Sequence, residues 1–133
     1  QLTLADGTVT ADHVVSALPA AALAEALPAE AELLAQELRR IPTVAVAVVN
    51  MQYKDVTLPV TGFGHLVPSS EDNSLLGIIY DSVAFPQHDG TGAPSVRLTV
   101  MLGGAWFTHS FGDPAAAAPA ALLHRAQAAA REQ

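Results

Sequence analysis

Five histidines, His13, His65, His88, His109 and His124, are the side chains here best suited to proton transfer or metal ligation near neutral pH. No two of them stand three or four residues apart, so no helix turn presents a ligand pair. Each reads as an ordinary surface or core histidine. Ser69-Ser70-Glu71-Asp72 is polar enough to do chemistry, but it lies between strand-prone runs and reads as a solvated loop. There is no G-x-S-x-G elbow, which argues against an α/β-hydrolase triad. G-x-G-x-x-G and Walker A patterns are absent too. Gly62-Phe63-Gly64 lacks the third glycine and a following helix, and Gly103-Gly104 reads as a turn. Asp12 and Asp81 each close a strand-prone run, where capping or turn stabilisation accounts for them. Without cysteine, disulfides, thiolate zinc sites and a cysteine nucleophile are excluded. On these patterns the chain carries no catalytic residue and no metal site.

The elements that would position these residues follow from periodicity. Leu2 to Ala5, Asp6-Gly7 and Thr8 to Thr10 read as a hairpin, with Asp-Gly supplying the positive φ of a type I′ turn. His13 to Ala17 reads as a short buried strand, and Pro19 opens a helix carrying Leu23 and Leu27 on one face. Pro28 ends it and begins a second, with Leu34, Leu38 and Ile41 as its apolar stripe. In that helix Glu30 and Glu32 near the start and Arg39 and Arg40 near the end complement the dipole. Thr43 to Met51 is a strand in which both alternating sets are apolar, so both faces are expected to be covered. Strands Gly62 to Val67, Leu75 to Asp81 and Val96 to Leu102 complete an expected antiparallel meander, and Pro114 to Gln133 reads as an Ala-rich helix. No internal repeat is present. The fold class is α+β, a mostly antiparallel sheet with flanking helices.

Composition narrows the partners. The net charge is −7 with only six Lys and Arg, which argues against nucleic acid. Half the residues are hydrophobic and 14% are charged, against about 25% in ordinary soluble domains. That balance fits a chain partly covered by other polypeptide. The longest apolar run, Val44 to Val49, is far short of a bilayer span, and no signal-peptide pattern appears. The chain opens at Gln1 within an alternating pattern and closes at Gln133 within a helical one, so a piece of a longer protein is expected.

Three stretches carry a specific resemblance: Gly62-Phe63-Gly64-His65-Leu66-Val67-Pro68-Ser69-Ser70-Glu71-Asp72, Gly77-Ile78-Ile79-Tyr80-Asp81-Ser82-Val83-Ala84-Phe85-Pro86, and Thr99-Val100-Met101-Leu102-Gly103-Gly104 with Trp106 nearby. In order, they resemble animal-type protoporphyrinogen oxidases. Ala11-Asp12-His13-Val14-Val15-Ser16-Ala17-Leu18-Pro19 resembles a broader pattern shared with amine oxidases and phytoene desaturases. Beyond Trp106, Phe107 to Gln133 departs from the family pattern, and Gln87 to Ser95 is slightly longer.

The resemblance implies an FAD-dependent oxidoreductase that converts protoporphyrinogen IX to protoporphyrin IX in haem biosynthesis, with molecular oxygen reoxidising the flavin to give peroxide. It implies a two-domain architecture of a Rossmann-like FAD domain and a substrate domain, with a helical membrane-binding part. Residues 1–18 would be the hairpin and strand returning to the FAD domain, and 19–133 part of the substrate domain. It further implies a homodimer at the inner mitochondrial membrane, on the intermembrane-space side, with the membrane approached through other parts. The FAD-binding segments are expected outside this chain, so no cofactor-binding residue is assigned and the piece alone is expected to be inactive. Two alternatives stand beside this reading: a piece of another flavin amine-oxidase-like enzyme, and a non-catalytic interaction module that keeps the fold.

Carried over residue by residue, the resemblance places Phe63, Leu66 and Met101 on the tetrapyrrole pocket. Met101 shares a strand face with Arg97 and Thr99, opposite Val96, Leu98, Val100 and Leu102. An adaptable apolar side chain among polar neighbours suits a cavity wall, and plain core packing suits it equally. Phe63 and Leu66 are three residues apart, so a flat strand puts them on opposite faces. A bend near Gly64 is required if both line one pocket. Arg97 is a cation available to a propionate, though the family's anchor is expected elsewhere.

Overall fold

Val96, Leu98, Val100 and Leu102 alternate along one strand, and that alternation organises the larger of two compact units. The computed structural model describes residues 1–58, 61–89, 92 and 95–132. It divides into Gln1–Thr43 and Val44–Gln133.

In the first unit, strands β1 (Leu2–Leu4) and β2 (Gly7–Val9) form the expected hairpin, followed by helices α1 (Ala20–Ala26) and α2 (Glu32–Arg39) with a 3-10 turn at Ala29–Ala31 between them. The hairpin register differs from the expectation. Leu4 pairs with Gly7, so Ala5 and Asp6 form the loop. Asp6 does not adopt positive φ, which rules out a type I′ turn, and Gly7 takes φ +150° as the first strand residue instead. His13–Ala17 forms no strand. Among the described residues its backbone has no ladder partner, and Val15 is 95% exposed. Helices α1 and α2 pack through Ala24 and Ala35, whose small side chains allow close approach. Of the expected Leu34–Leu38–Ile41 stripe, Leu38 is half-buried whereas Leu34 and Ile41 remain exposed. Arg39 bridges Glu25 at 3.2 Å and Glu32 at 3.1 Å; on an exposed surface such pairs contribute little.

The second unit is a four-stranded antiparallel sheet of β3 (Ala45–Lys54), β4 (Gly64–Leu66), β5 (Leu75–Tyr80) and β6 (Ser95–Gly104), in the spatial order β3-β6-β5-β4. The expected meander holds for β4, β5 and β6. Strand β3 skips its sequence neighbour and pairs along its whole length with β6, from Ala45↔Gly104 to Lys54↔Ser95. Strand β6 is therefore central, and its Val100 and Leu102 are completely buried. Helix α5 (Pro119–Glu132) covers this face through Ala126 and Ala129, beside Ile78 from β5 and the half-buried Ala47, Val49 and Met51 from β3.

The opposite face has no such cover among the described residues. Val46 and Val48 stand exposed on it, contrary to the expectation that both faces of β3 are covered. Helix α5 begins at Pro119 rather than Pro114. A helix running from Pro114 would place Pro119 in its interior, losing a backbone hydrogen bond and clashing with the preceding turn. Asp113 instead closes a turn, its carboxylate accepting from Ala115 N–H at 2.9 Å. The short helix α4 (Phe107–Phe111), not anticipated from the sequence, buries Phe107 and sets its ring against that of Phe111 in a tilted arrangement. The short helix α3 (Asp81–Ala84) follows β5 directly. The extra length between Gln87 and Ser95 lies partly outside the described residues. No described helix is long and apolar enough to cross a membrane.

Candidate functional site

Register decides which side chains reach the open face of the sheet. Gly77 pairs with Leu66 on one side and with Met101 on the other. This row places Leu66 and Met101 on one face with only a glycine between them. A side chain at position 77 would also force the strands apart, since a Cβ there would lie 2.4 Å from the His65 carbonyl oxygen. The mirror-image constraint holds at Gly64, where a Cβ would lie 2.3 Å from the Ile78 carbonyl oxygen. Gly64 also takes φ +152°, a conformation that L side chains rarely adopt.

Gly64 sits where a bend is needed. Phe63 lies just before β4, with its carbonyl accepting the Tyr80 N–H at 2.9 Å, and Leu66 ends the strand. Phe63, Leu66 and Met101 line one hollow of about 280 Å³, with Gly64, His65, Ile78 and Ile79 as its remaining borders. Phe63 is 66% and Leu66 80% exposed, and Met101 is half-buried. The three residues singled out from the sequence therefore converge on one open apolar recess, and none is sealed in the core.

The same face turns polar a few residues along. Thr99 donates its hydroxyl proton to Asp81 Oδ2 at 2.6 Å and adjoins Asn50. Arg97 donates through Nε to Asp89 at 2.6 Å and through a terminal nitrogen to the Phe85 carbonyl at 2.8 Å. The hydrogen bond from Arg97 holds the Asp89 carboxyl below the usual carboxylate range. Arg97 is thus already paired within the chain, which weighs against its serving as a free anchor for a propionate. A second hollow of about 380 Å³ lies here, bordered by Asn50, Gln52, Asp81, Arg97 and Thr99 together with Met51 and Leu98.

Two interactions behind the wall were not legible in the sequence. His65 Nδ1 lies 2.7 Å from the Tyr80 hydroxyl, so that histidine is more than a generic core residue. Asp72, which reads as part of a solvated loop, is a structural node. Its Oδ1 accepts from Ser74 N and Oγ, both at 2.8 Å, and from Leu75 N at 3.2 Å, while its Oδ2 accepts from Arg125 of α5. Burial alone would raise the Asp72 pKa, but the Ser74 hydrogen bonds and the Arg125 charge outweigh it and hold the group below its ordinary value. Only the Asp-x-Ser spacing hinted at this turn, and nothing local pointed to Arg125, 53 residues away.

A flavin dinucleotide requires backbone N–H groups at a helix start behind a glycine-rich turn. The described residues do not provide one. Helices α1, α2 and α3 open after Pro19, Ala31 and Tyr80. Gly103 and Gly104 precede α4, but the space beside Gly103 is filled by the Phe107 ring, 2.2 Å from where a Cβ would lie.

Comparison with known proteins finds relatives along the whole chain. The chain is 53% identical to protoporphyrinogen oxidase of Homo sapiens over 133 residues, which is all of this chain and 28% of the relative. It is 59% identical to that of Bos taurus over 106 residues, 80% of this chain and 22% of the relative. Against that of Schizosaccharomyces pombe it is 42% identical over 71 residues, 50% of this chain and 14% of the relative. The alignment with the human protein continues through residues 107–133, the segment expected to diverge. The chain thus spans between 14% and 28% of the length of these relatives. The model of the flavin containing amine oxidoreductases matches residues 1–124, and the chain belongs to that family.

Proposed function

We propose that this chain forms part of the substrate-binding region of an oxygen-dependent, FAD-using protoporphyrinogen oxidase, which converts protoporphyrinogen IX to protoporphyrin IX in haem biosynthesis. One observation carries the reading: Phe63, Leu66 and Met101 meet at a single apolar recess on the uncovered face of the sheet. A porphyrinogen is a broad, largely apolar disc with acidic side chains. Enclosed small-molecule sites start at roughly 300 Å³. A recess of about 280 Å³ therefore fits one wall of such a site, to be completed by other polypeptide.

The assignment of residues 1–18 to an FAD domain and 19–133 to a substrate domain belongs to the same proposal. FAD supplies the oxidising chemistry when bound. Since the described residues build no pyrophosphate cradle, its contacts are assigned to polypeptide outside them, and no step is routed through it here. This chain's residues bind and orient the macrocycle and exclude water from one of its faces. Homodimer formation and residence at the inner mitochondrial membrane, on the intermembrane-space side, follow from the resemblance and are proposed with it.

The test is Met101→Lys in the flavin-loaded protein that carries this chain, assayed by oxygen uptake with protoporphyrinogen IX. A charge placed against an apolar wall is expected to raise KM by about tenfold or more, with the flavin spectrum unchanged. Wild-type kinetics in a folded, flavin-loaded variant would sink the proposal. No oxygen uptake by the wild-type flavoprotein with this substrate would favour a different amine-oxidase-like activity. Absence of flavin altogether would favour a non-catalytic module.

A further inference from the structure

The hollow's outer rim rests on a weak element. Strand β4 has three residues and lies at the sheet edge, and the side chains it carries toward the hollow are mostly exposed. Exposed Phe63 and Leu66 cannot hold themselves in place by burial, so their position is set by whatever fixes β4 to β5. Tyr80 does this twice. Its N–H donates to the Phe63 carbonyl at 2.9 Å, and its hydroxyl meets His65 Nδ1 at 2.7 Å. His65 pairs with core residue Ile78, so by register its ring shares the core face with Tyr80, behind the wall. The two rings lie 5.7 Å apart. His65 Nε2 is buried and has no partner among the described residues, so the Tyr80 hydroxyl is the only polar contact found for this ring there. Residues 63 and 65 are thus gripped by one tyrosine, on either side of Gly64, where the chain turns.

We infer that the His65–Tyr80 pair is a positioning device for substrate recognition, holding β4 so that Phe63 and Leu66 face Met101 across the hollow. His65 borders the hollow, but its contact with the Tyr80 hydroxyl lies on the core face and acts through the backbone it fixes. This rests on the proposed function above and adds to it which residues set the width of the wall.

The experiment uses the flavin-loaded protein carrying this chain, with protoporphyrinogen IX as substrate. Tyr80→Phe removes the hydroxyl and keeps the ring. It is expected to raise KM about three- to tenfold, the range set by one net hydrogen bond, with kcat within about twofold and flavin absorbance unchanged. His65→Leu is expected to do the same, and the double variant to add little to either single change, as for two halves of one contact. His65→Gln, which can still bond the Tyr80 hydroxyl, is expected to stay near the wild-type KM. Wild-type KM in both Tyr80→Phe and His65→Leu overturns the inference. So does a KM in His65→Gln as high as in His65→Leu, because the hydrogen bond would then be irrelevant. If Tyr80→Phe does not fold, the two His65 variants decide the matter. Loss of fold in all three overturns it too, since the pair would then serve stability alone. Met101→Lys separates the two failures. A raised KM there, with unchanged KM in the pair, leaves the proposed function standing without this device. Unchanged KM in all of them removes both.

Discussion

The two faces of strand β6 are built from alternate residues of one ten-residue run, yet they follow different rules. Val96, Leu98, Val100 and Leu102 look toward α5, and the last two are sealed from solvent completely. Arg97, Thr99 and Met101 look the other way, onto a face that is polar at one end and apolar at the other. The first face is close-packed and aliphatic, so its residues matter through volume. The second is open, and its residues matter through what they present. A single strand can therefore carry stability and recognition side by side, because the pleat keeps them on separate surfaces.

The largest expected contrast is between adjacent residues. Leu102→Ala leaves a cavity in the sealed face and should cost about 2–5 kcal/mol of unfolding free energy. Met101→Ala, one residue earlier but on the open face, should cost less than about 1 kcal/mol. Chemical denaturation of the two variants checks this, and equal losses would mean that the faces are not distinct. Gly77→Ala comes next. Its Cβ would meet the His65 carbonyl in the seam between β4 and β5, so a loss of about 2–3 kcal/mol is expected, with greater protease sensitivity around β4. Tolerance of alanine there would mean that the seam is looser than its geometry implies.

The smallest effect sharpens the comparison from the core side. Asp72→Asn weakens the clamp on α5 and should cost about 1–2 kcal/mol at neutral pH. Because the folded-state pKa of Asp72 is lowered, its contribution is fully present above the ordinary carboxylate value of 3.8. It is lost as pH falls below that value through the folded pKa. The gap between wild type and Asp72→Asn, read from thermal unfolding across pH, should therefore close under acid conditions. A gap that persists at low pH would show that Asp72 acts other than as a carboxylate.

Much of the sheet was legible because strand formation is written locally. The β-branched and aliphatic runs gave all four strands, and the alternation in Val96 to Leu102 told the two faces of β6 apart. What failed was non-local. Nothing within Thr43 to Met51 announces that its partner is the last strand rather than the next one, or that only one of its faces is covered. His13 to Ala17 has a strand's composition, but a strand needs a neighbour to bond with, and the described residues give it none. The hairpin slipped by one residue because Asp-Gly is a strong turn signal that the pairing of Leu4 with Gly7 overrides. For the hollow, sequence logic reached the right condition, a bend near Gly64, without being able to meet it. The bend depends on how closely β4 lies against β5, and that is a property of the pair.

The seating of α5 has one further consequence. Alanine methyl groups at 126 and 129 bring the helix very near the sheet, but they are small and nearly interchangeable, so they resist sliding or rolling poorly. The ratchet is Arg125, whose guanidinium drops into the Asp72–Ser74 turn and indexes the helix along its axis. Acid strong enough to protonate Asp72, below its ordinary value of 3.8, should therefore let α5 slip out of step while the strands beneath it are still paired.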